Sequence, residues 1–219
     1  KSPTAKAKPV AKGEMSARDF HLTVSDFAAD DPKVSLCRVS TGFPGTGARW
    51  RSPLDYGGND NGGGVGAGPG QSVGMALAYR DLGRLPITVL GDGDYLMGSN
   101  ALWTAARMRI PMMVVVMNNR SYYNDEAHQH HVADQRTRAT DNRWIGLRLD
   151  DPAPDLAGLA RAQGFEAVGP INTIEAFRAE LKRGREVVAN GGQFMIDAWI
   201  IPDDAVARRQ QDGGRGKKK

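Results

Sequence analysis

The sequence predicts an α/β protein with a doubly wound, mostly parallel sheet that is flanked by helices. Two apolar runs of strand length, 87–90 and 112–117, each end at polar residues. A stretch of helix length, 99–109, lies between them. A strand–helix–strand crossover of this kind makes the two strands parallel, and the connection between them is right-handed.

The remaining elements follow from apolar periodicity, helix caps and turn residues. They are a strand at 34–39, a helix at 71–82, a helix from 154 to about 163, a strand at 165–168, a helix capped by Thr173 and ended by 190–192, and a strand at 194–201. Segment 40–70 is rich in Gly, Pro, Asn and Asp and is expected to be mostly loop. Segment 121–148 is polar and is expected to be irregular.

The chain of 219 residues is long enough for one sizeable domain with appendages. We predict a disordered tail or linker at 1–16, a remnant of a preceding region at 17–49, the main domain at 50–203 and a basic, Gly-rich tail at 204–219. The tails account for most of the net charge of +4, so the basic residues do not form a face interleaved with aromatic residues. A nucleic-acid partner is therefore not expected.

Other function classes are excluded on composition. No apolar run approaches the roughly 20 residues that a membrane-spanning helix needs. No secretory signal pattern is visible, and the single cysteine, Cys37, rules out a disulfide within the chain. These features suit a reducing compartment, and we expect a cytoplasmic protein.

Two polar residues mark the predicted functional site. Asp92 follows the first strand and Asn119 follows the second, so both should lie at the same edge of the parallel sheet. Open α/β sheets bind ligands at that edge. A carboxylate, an amide oxygen and a free backbone carbonyl are ligands that suit an octahedral Mg²⁺ bound to phosphate oxygens.

The same residues carry a resemblance to a known family. The triplet at 91–93 and the Asn pair that ends at Asn119, 27 positions after Asp92, resemble the cofactor motif of thiamine-diphosphate-dependent enzymes. The glycine-rich segment 57–70 resembles the segment that precedes this motif. The resemblance covers roughly residues 50–202 and is greatest to the diphosphate-binding domain of the acetolactate synthase and benzoylformate/pyruvate decarboxylase branch.

The resemblance implies thiamine diphosphate and Mg²⁺ as cofactors. The metal ligands would be Asp92, Asn119 and the backbone carbonyl of Ser121. Gly91 flanks the acid, and the amides of Gly93 and Asp94 would face phosphate oxygens, as at other helix N-termini. Many family members have a small residue in place of Asp94, and capping of its own helix is the alternative role for this acid.

The resemblance also assigns residues near the thiamine rings. The carbonyl of Gly63 would accept a hydrogen bond from the aminopyrimidine, and Val65 would support the bent cofactor with a stiff, branched side chain. Gly62, Gly64 and Ala67 loosely match a dinucleotide-binding pattern. The segment before them is not an apolar strand, and no acid follows at the required distance.

The polar segment after Asn119 supplies candidates for a substrate pocket. By resemblance, Tyr122, Tyr123 and His128 could line it. His128 and His131 are three residues apart and could share a helix face, with His130 between them. A metal site formed by these histidines would lack an evident third ligand, and an exposed polar segment is the alternative interpretation.

The implied activity is decarboxylation or carboligation of a small 2-oxo acid. The family activates its cofactor with a glutamate in a separate pyrimidine-binding domain, usually on another subunit. The glutamates present are Glu14, Glu126, Glu166, Glu175, Glu180 and Glu186. None lies in such a domain, so we expect no catalytic residue in this chain, and a homo- or hetero-oligomer that supplies the pyrimidine-binding domain. The chain is then a fragment or one subunit of a split enzyme, and a noncatalytic cofactor-binding or assembly module is the alternative.

Overall fold

The computed structural model describes residues 15–40, 43, 45, 47–59 and 64–201. In these residues the predicted fold class is confirmed, because the strands form one parallel sheet with helices on both faces. The strands are β1 (Met15–Ser16), β2 (Val34–Arg38), β3 (Leu85–Gly91), β4 (Met112–Asn118), β5 (Glu166–Ile171) and β6 (Gln193–Ile201). Their order is β1-β6-β4-β3-β2, and β5 pairs with β6 beside β1.

Seven α-helices connect or flank these strands in the described part of the chain. They are α1 (Ala17–Asp30), α2 (Gly68–Arg80), α3 (Asp92–Gly98), α4 (Ala101–Arg107), α5 (Tyr123–Gln135), α6 (Leu156–Ala162) and α7 (Ile174–Ala189). A short 3-10 helix, Pro53–Asp55, lies in the long segment before α2. No helix in the described ranges is long and apolar enough to cross a membrane.

The central strands are buried on both sides, which explains their continuous apolar runs. In β4, Met113 and Val115 face a core formed with α1 and α7. Val114 and Val116 face a second core formed with α2, α3, α4 and α6. Alternate residues of a strand point to opposite faces, so a single apolar run contributes to both cores. The ends of β3 and β4 are thereby fixed at one edge of the sheet.

Residues at the beginning of the described chain belong to the same core. Phe20 of α1 is fully buried and stacks on Phe177 of α7, with 5.0 Å between the ring centroids. Met15 pairs with Ile200 in a parallel ladder, so the predicted tail at 1–16 reaches no further than residue 14. Residues 1–14 and 204–219 lie outside the described residues, and the predicted domain boundary near residue 50 stays a prediction.

Two helical regions differ from expectation. The expected irregular segment at 121–148 is wrong over Tyr123–Gln135, which forms α5. Only Glu126 of this helix is buried, so its sequence lacks the apolar stripe by which a helix is recognised. The crossover expected at 99–109 consists of two helices, α3 and α4, which are separated by Ser99 and Asn100.

Candidate functional site

The candidate site lies at the edge where β3 and β4 end. Gly91, the last residue of β3, pairs with Met117 of β4. Asp92 follows directly as the first residue of α3 and is buried. The N–H of Ser121 donates to Asp92 Oδ2 and to Asn119 Oδ1, both at 3.0 Å. The structure therefore brings the acid, the amide oxygen and the Ser121 backbone into one small cluster.

The turn after β4 is stabilised by its own side chains. Arg120 has a left-handed backbone with φ of +59°, which reverses the chain between Asn119 and Ser121. Its N–H donates to Asn118 Oδ1 at 3.0 Å, and its guanidinium lies 4.8 Å from the centre of the Trp199 ring. These contacts aim the Ser121 N–H at Asp92.

Asp92 carries a charge that the protein does not neutralise. Its Oδ1 accepts the N–H of Gly93 at 2.9 Å, but it forms no ion pair with a described residue. Burial raises the pKa of Asp92 to about 6, while the backbone hydrogen bonds from Gly93 and Ser121 act in the opposite direction. A buried carboxylate in this position would gain from a bound cation.

The two glycines that flank Asp92 have different environments. A Cβ at Gly93 would overlap the ring of Tyr122, so glycine is required there for close packing. A Cβ at Gly91 would meet no atom of the described residues within 4 Å apart from its chain neighbours, and its φ of −75° suits any residue. Among the described residues, open space therefore lies beside Gly91. Tyr122 lies next to the site, and its pKa is raised by burial and by the charge of Asp92.

Ser121 is held from its other side by a buried acid. Its hydroxyl donates to Glu126 of α5, which is 2% exposed. Glu126 also forms an ion pair with Arg148, with 2.6 Å between Oε1 and Nε. Ser121 and Arg148 form an antiparallel bridge. The segment from 121 to 148, including α5, is thus closed at its base directly beside the site.

The glycine-rich segment approaches the site from the α2 side. Gly63 lies outside the described residues, so its predicted role is not addressed by the structure. The side chain of Val65 is 47% exposed. Asp94 does not cap its own helix through the described contacts. Its Oδ1 accepts the N–H groups of Gly66 at 2.7 Å and Gly68 at 3.1 Å.

The remaining predicted residues lie on or next to α5. Tyr123 is half-buried at the start of the helix, and His128, five residues later, is exposed. His128, His131 and Arg138 help to line a shallow surface cavity of about 480 Å³. The Nε2 atom of His130 lies 3.3 Å from Asp134 Oδ2. Within the described residues, no group of three or more His, Cys, Asp or Glu side chains is placed to hold a metal ion, and both interpretations of these histidines stay predictions.

Sequence reasoning missed four polar residues that support the site: Arg38, Glu126, Arg148 and Asp197. Arg38 and Asp197 each interrupt an apolar strand, and both are 2% exposed. A charged residue in a buried strand is a visible signal, since such residues are rarely buried without a partner. The Asn118 amide donates to Asp197 Oδ1 at 2.9 Å and is thereby held at the end of β4.

Asp197→Asn is expected to change the pH dependence of stability. Burial raises the pKa of Asp197 from 3.8 to about 6, although the Asn118 hydrogen bond lowers it. The bound proton therefore favours the folded state, and this contribution is lost as the pH rises through about 6. The variant keeps the Oδ1 acceptor and should raise the free energy of unfolding at pH 7 by about 2 kcal/mol. Denaturant unfolding at pH 4 to 8 measures the free energy of unfolding of variant and parent. If the two values changed in parallel with pH, the raised pKa of Asp197 would be contradicted.

Comparison with known proteins identifies the family. The sequence model of the thiamine pyrophosphate enzyme C-terminal TPP-binding domain matches residues 44–198. The chain belongs to this family. The match includes Asp92, Asn119 and the glycine-rich segment, and it confirms the resemblance that these residues indicated.

Individual members of the family show how much of a whole enzyme this domain represents. Benzoylformate decarboxylase from Pseudomonas aeruginosa is 38% identical over 114 residues, which cover 48% of this chain and 18% of that protein. The acetolactate synthase large subunit from Porphyra purpurea is 24% identical over 140 residues, or 64% of this chain and 22% of that protein. The chain thus matches about a fifth of the length of each of these relatives.

A solved structure shows the same fold. The thiamine diphosphate-dependent 4-hydroxybenzoylformate decarboxylase from Rhodococcus jostii superposes with a TM-score of 0.71 at 24% identity. The superposition covers 92% of this chain and 35% of that one. Residues ahead of the family match are therefore included in the shared fold, and the superposed part is about a third of that chain.

Proposed function

We propose that this chain binds the diphosphate of thiamine diphosphate through Mg²⁺, in an enzyme that decarboxylates or carboligates 2-oxo acids. The observation that carries the proposal is the cluster in which Asp92 and Asn119 both accept the backbone N–H of Ser121. Because both acceptor oxygens lie 3.0 Å from the Ser121 nitrogen, they are at most about 6 Å apart. Two side-chain oxygens and the Ser121 carbonyl are a suitable ligand set for this ion.

The surroundings of this cluster fit the metal and the diphosphate. Asp92 is buried with an elevated pKa, and no described cation pairs with it, so a divalent ion would supply the missing charge. The space beside Gly91 leaves room for a ligand on the open side of the turn. Tyr122 limits the site on the other side of Gly93.

When bound, thiamine diphosphate would supply a nucleophilic carbon and an electron sink for the chemistry of 2-oxo acids. The chain's own residues bind and orient it. Asp92, Asn119 and the Ser121 carbonyl would hold the metal, and Gly91 would allow the phosphates to approach. Val65 would support the rings, with the Gly63 carbonyl as acceptor. Relatives named for benzoylformate and acetolactate support a 2-oxo acid as the substrate class.

We also propose that a pyrimidine-binding domain of another subunit completes the site, and that Tyr122, Tyr123 and His128 face the substrate beside it. Support comes from the exposed surface next to Asp92. Glu126 is the only buried residue of α5, and its ion pair with Arg148 anchors the base of the helix. Such a helix is expected to gain packing from a partner, and closure over the site would exclude water from the bound cofactor.

Binding of thiamine diphosphate is expected to require Mg²⁺ or a similar divalent ion. Isothermal titration of the chain with the cofactor, with Mg²⁺ and then with excess chelator, measures this dependence. We expect weak binding with the metal, because half of the cofactor site belongs to a partner, and loss of the signal with chelator. Equal affinity under both conditions would contradict the metal assignment.

Partner docking is expected to slow amide exchange in α5. In the isolated chain, exchange should be fast, since few buried contacts hold the helix. A cognate pyrimidine-binding domain, added with cofactor and Mg²⁺, should protect it and restore turnover. The buried face of α7 provides the control within the same molecule. Full protection of α5 before any partner is added would contradict the proposed surface.

A further inference from the structure

Arg38 and Asp94 form a buried ion pair next to the candidate site. Arg38 ends β2, and its side chain is 2% exposed, while that of Asp94 is 11% exposed. The Arg38 Nη1 atom lies 2.9 Å from Asp94 Oδ2, and the Arg38 Nε–H donates to Gln71 Oε1 at 3.0 Å. Removal of one partner from a buried pair leaves an uncompensated charge, so this pair fixes α3 to the end of β2.

The two oxygens of Asp94 have separate partners. Oδ2 faces Arg38, whereas Oδ1 accepts the N–H groups of both Gly66 and Gly68. Asp94 is two residues after Asp92, on the first turn of α3. One carboxylate therefore joins the glycine-rich segment to the helix that begins at the proposed metal ligand.

Gly68 is held on its carbonyl side as well. The Ser72 hydroxyl donates to the Gly68 carbonyl at 2.7 Å and lies 2.7 Å from Thr88 Oγ1. The Thr88 hydroxyl in turn donates to the Arg38 carbonyl at 3.1 Å. Contacts at hydrogen-bond distance and one ion pair thus form a closed ring through Gly68, Asp94, Arg38, Thr88 and Ser72, in which two hydroxyl protons serve the three contacts of Ser72 and Thr88.

Packing leaves the glycine-rich segment little freedom around this ring. A Cβ at Gly68 would overlap Asp94 and lie 2.6 Å from Arg38 Nη1. Gly66 has a φ of +93°, and a Cβ there would be 3.0 Å from Met97 Cβ. Both glycines are thus needed to bring the segment against α3. Val65, whose side chain is exposed, directly precedes Gly66, and Gly66 is bound to Asp94 of α3.

We infer that Asp94 is a positioning residue, which locks the segment carrying Val65 in register with the metal-binding turn at Asp92. The inference rests on the proposed function, since it assumes that both elements bind one cofactor. It also explains how an acid is accommodated beside a diphosphate. Its negative charge is compensated by Arg38 at Oδ2, and its Oδ1 is occupied by two N–H groups of the glycine-rich segment.

We call the two hydrogen bonds that Asp94 Oδ1 accepts from Gly66 and Gly68 the clamp. The test separates the effect of the clamp from that of the ion pair with Arg38. Arg38→Gln removes the cation, so that residue 94 can be made neutral without leaving an unpaired charge. In that background, Asp94→Asn keeps an Oδ1 acceptor for Gly66 and Gly68, whereas Asp94→Ala removes it. NMR amide exchange of Gly66 and Gly68 in the full chain measures the clamp. The amide of Val89, in the central strand β3, reports any change in global stability.

We expect exchange at Gly66 and Gly68 to be at least about 10-fold faster with Ala than with Asn, after correction for Val89. Titration with thiamine diphosphate and Mg²⁺ should show affinity about 10-fold weaker for the Ala variant, as for other residues that orient ligands indirectly. Equal exchange in the two variants would overturn the inference, and so would faster exchange with unchanged affinity. A parent chain that binds no cofactor would contradict the proposed function instead, while the exchange rates would still decide whether the clamp exists.

Discussion

Asp92→Asn is expected to weaken Mg²⁺-dependent binding of thiamine diphosphate by at least about 100-fold and to leave the fold intact. The change removes the negative charge at the centre of the ligand set and keeps the size of the side chain. The Gly93 N–H donates to Oδ1 and the Ser121 N–H to Oδ2, so asparagine keeps an acceptor for only one of these hydrogen bonds. Neutralisation offsets the lost hydrogen bond, because it removes a buried charge whose pKa is raised to about 6, so stability at pH 7 should not fall.

Asp155→Asn is the matched control for Asp92→Asn. Asp155 caps α6 through the N–H of Gly158 at 2.7 Å, and asparagine caps helices equally well. The control should retain the affinity of the parent chain. Asn119→Ala should also weaken the Mg²⁺-dependent binding of thiamine diphosphate, by a few kcal/mol of binding free energy, since it removes a second proposed ligand. Parent-like affinity in Asp92→Asn, or unfolding of that variant, would show that the acid has only a structural role.

The position of Asp92 beside the Asn119 turn could be predicted because topology constrains it. Two apolar runs with a crossover between them must be parallel strands, and neighbouring parallel strands end at the same edge. The register that pairs Gly91 with Met117 then follows from where the runs stop. The meeting of a carboxylate and a side-chain amide at this edge was predictable for the same reason, because both polar residues follow their strands directly.

The supporting contacts could not be predicted in the same way. Arg38 stands out in an apolar strand, but its pairing with Asp94 depends on how α3 packs against β2 and α2. Glu126 lies in a helix without an apolar stripe, so neither the helix nor its buried acid gives a periodic signal. Such residues are recognised only when the folded chain shows which distant groups they meet.

The contribution of α1 to the core could not be predicted from the sequence either, and this contribution bears on where the domain begins. The sequence predicts that α1 belongs to a remnant of a preceding region, yet its buried side chains pack on α7 and on the central strands. Phe20 is fully buried, and its ring is stacked on Phe177 with 11° between the ring planes. An aromatic side chain in this position contributes to the stability of the whole sheet if α1 and the sheet fold together.

Phe20→Ala is therefore expected to lower the free energy of unfolding of the entire domain by about 3–5 kcal/mol, because it removes the stack and leaves a cavity. Denaturant unfolding followed by circular dichroism, together with amide exchange of Val89 in β3 and Val115 in β4, measures the loss. Both probes should report the same decrease. Phe27→Ala on the same helix is the control, and it should cost less because Phe27 is only partly buried. If the strand amides kept their exchange rates while α1 alone loosened, residues 17–49 would be a separable remnant and the domain would begin after them.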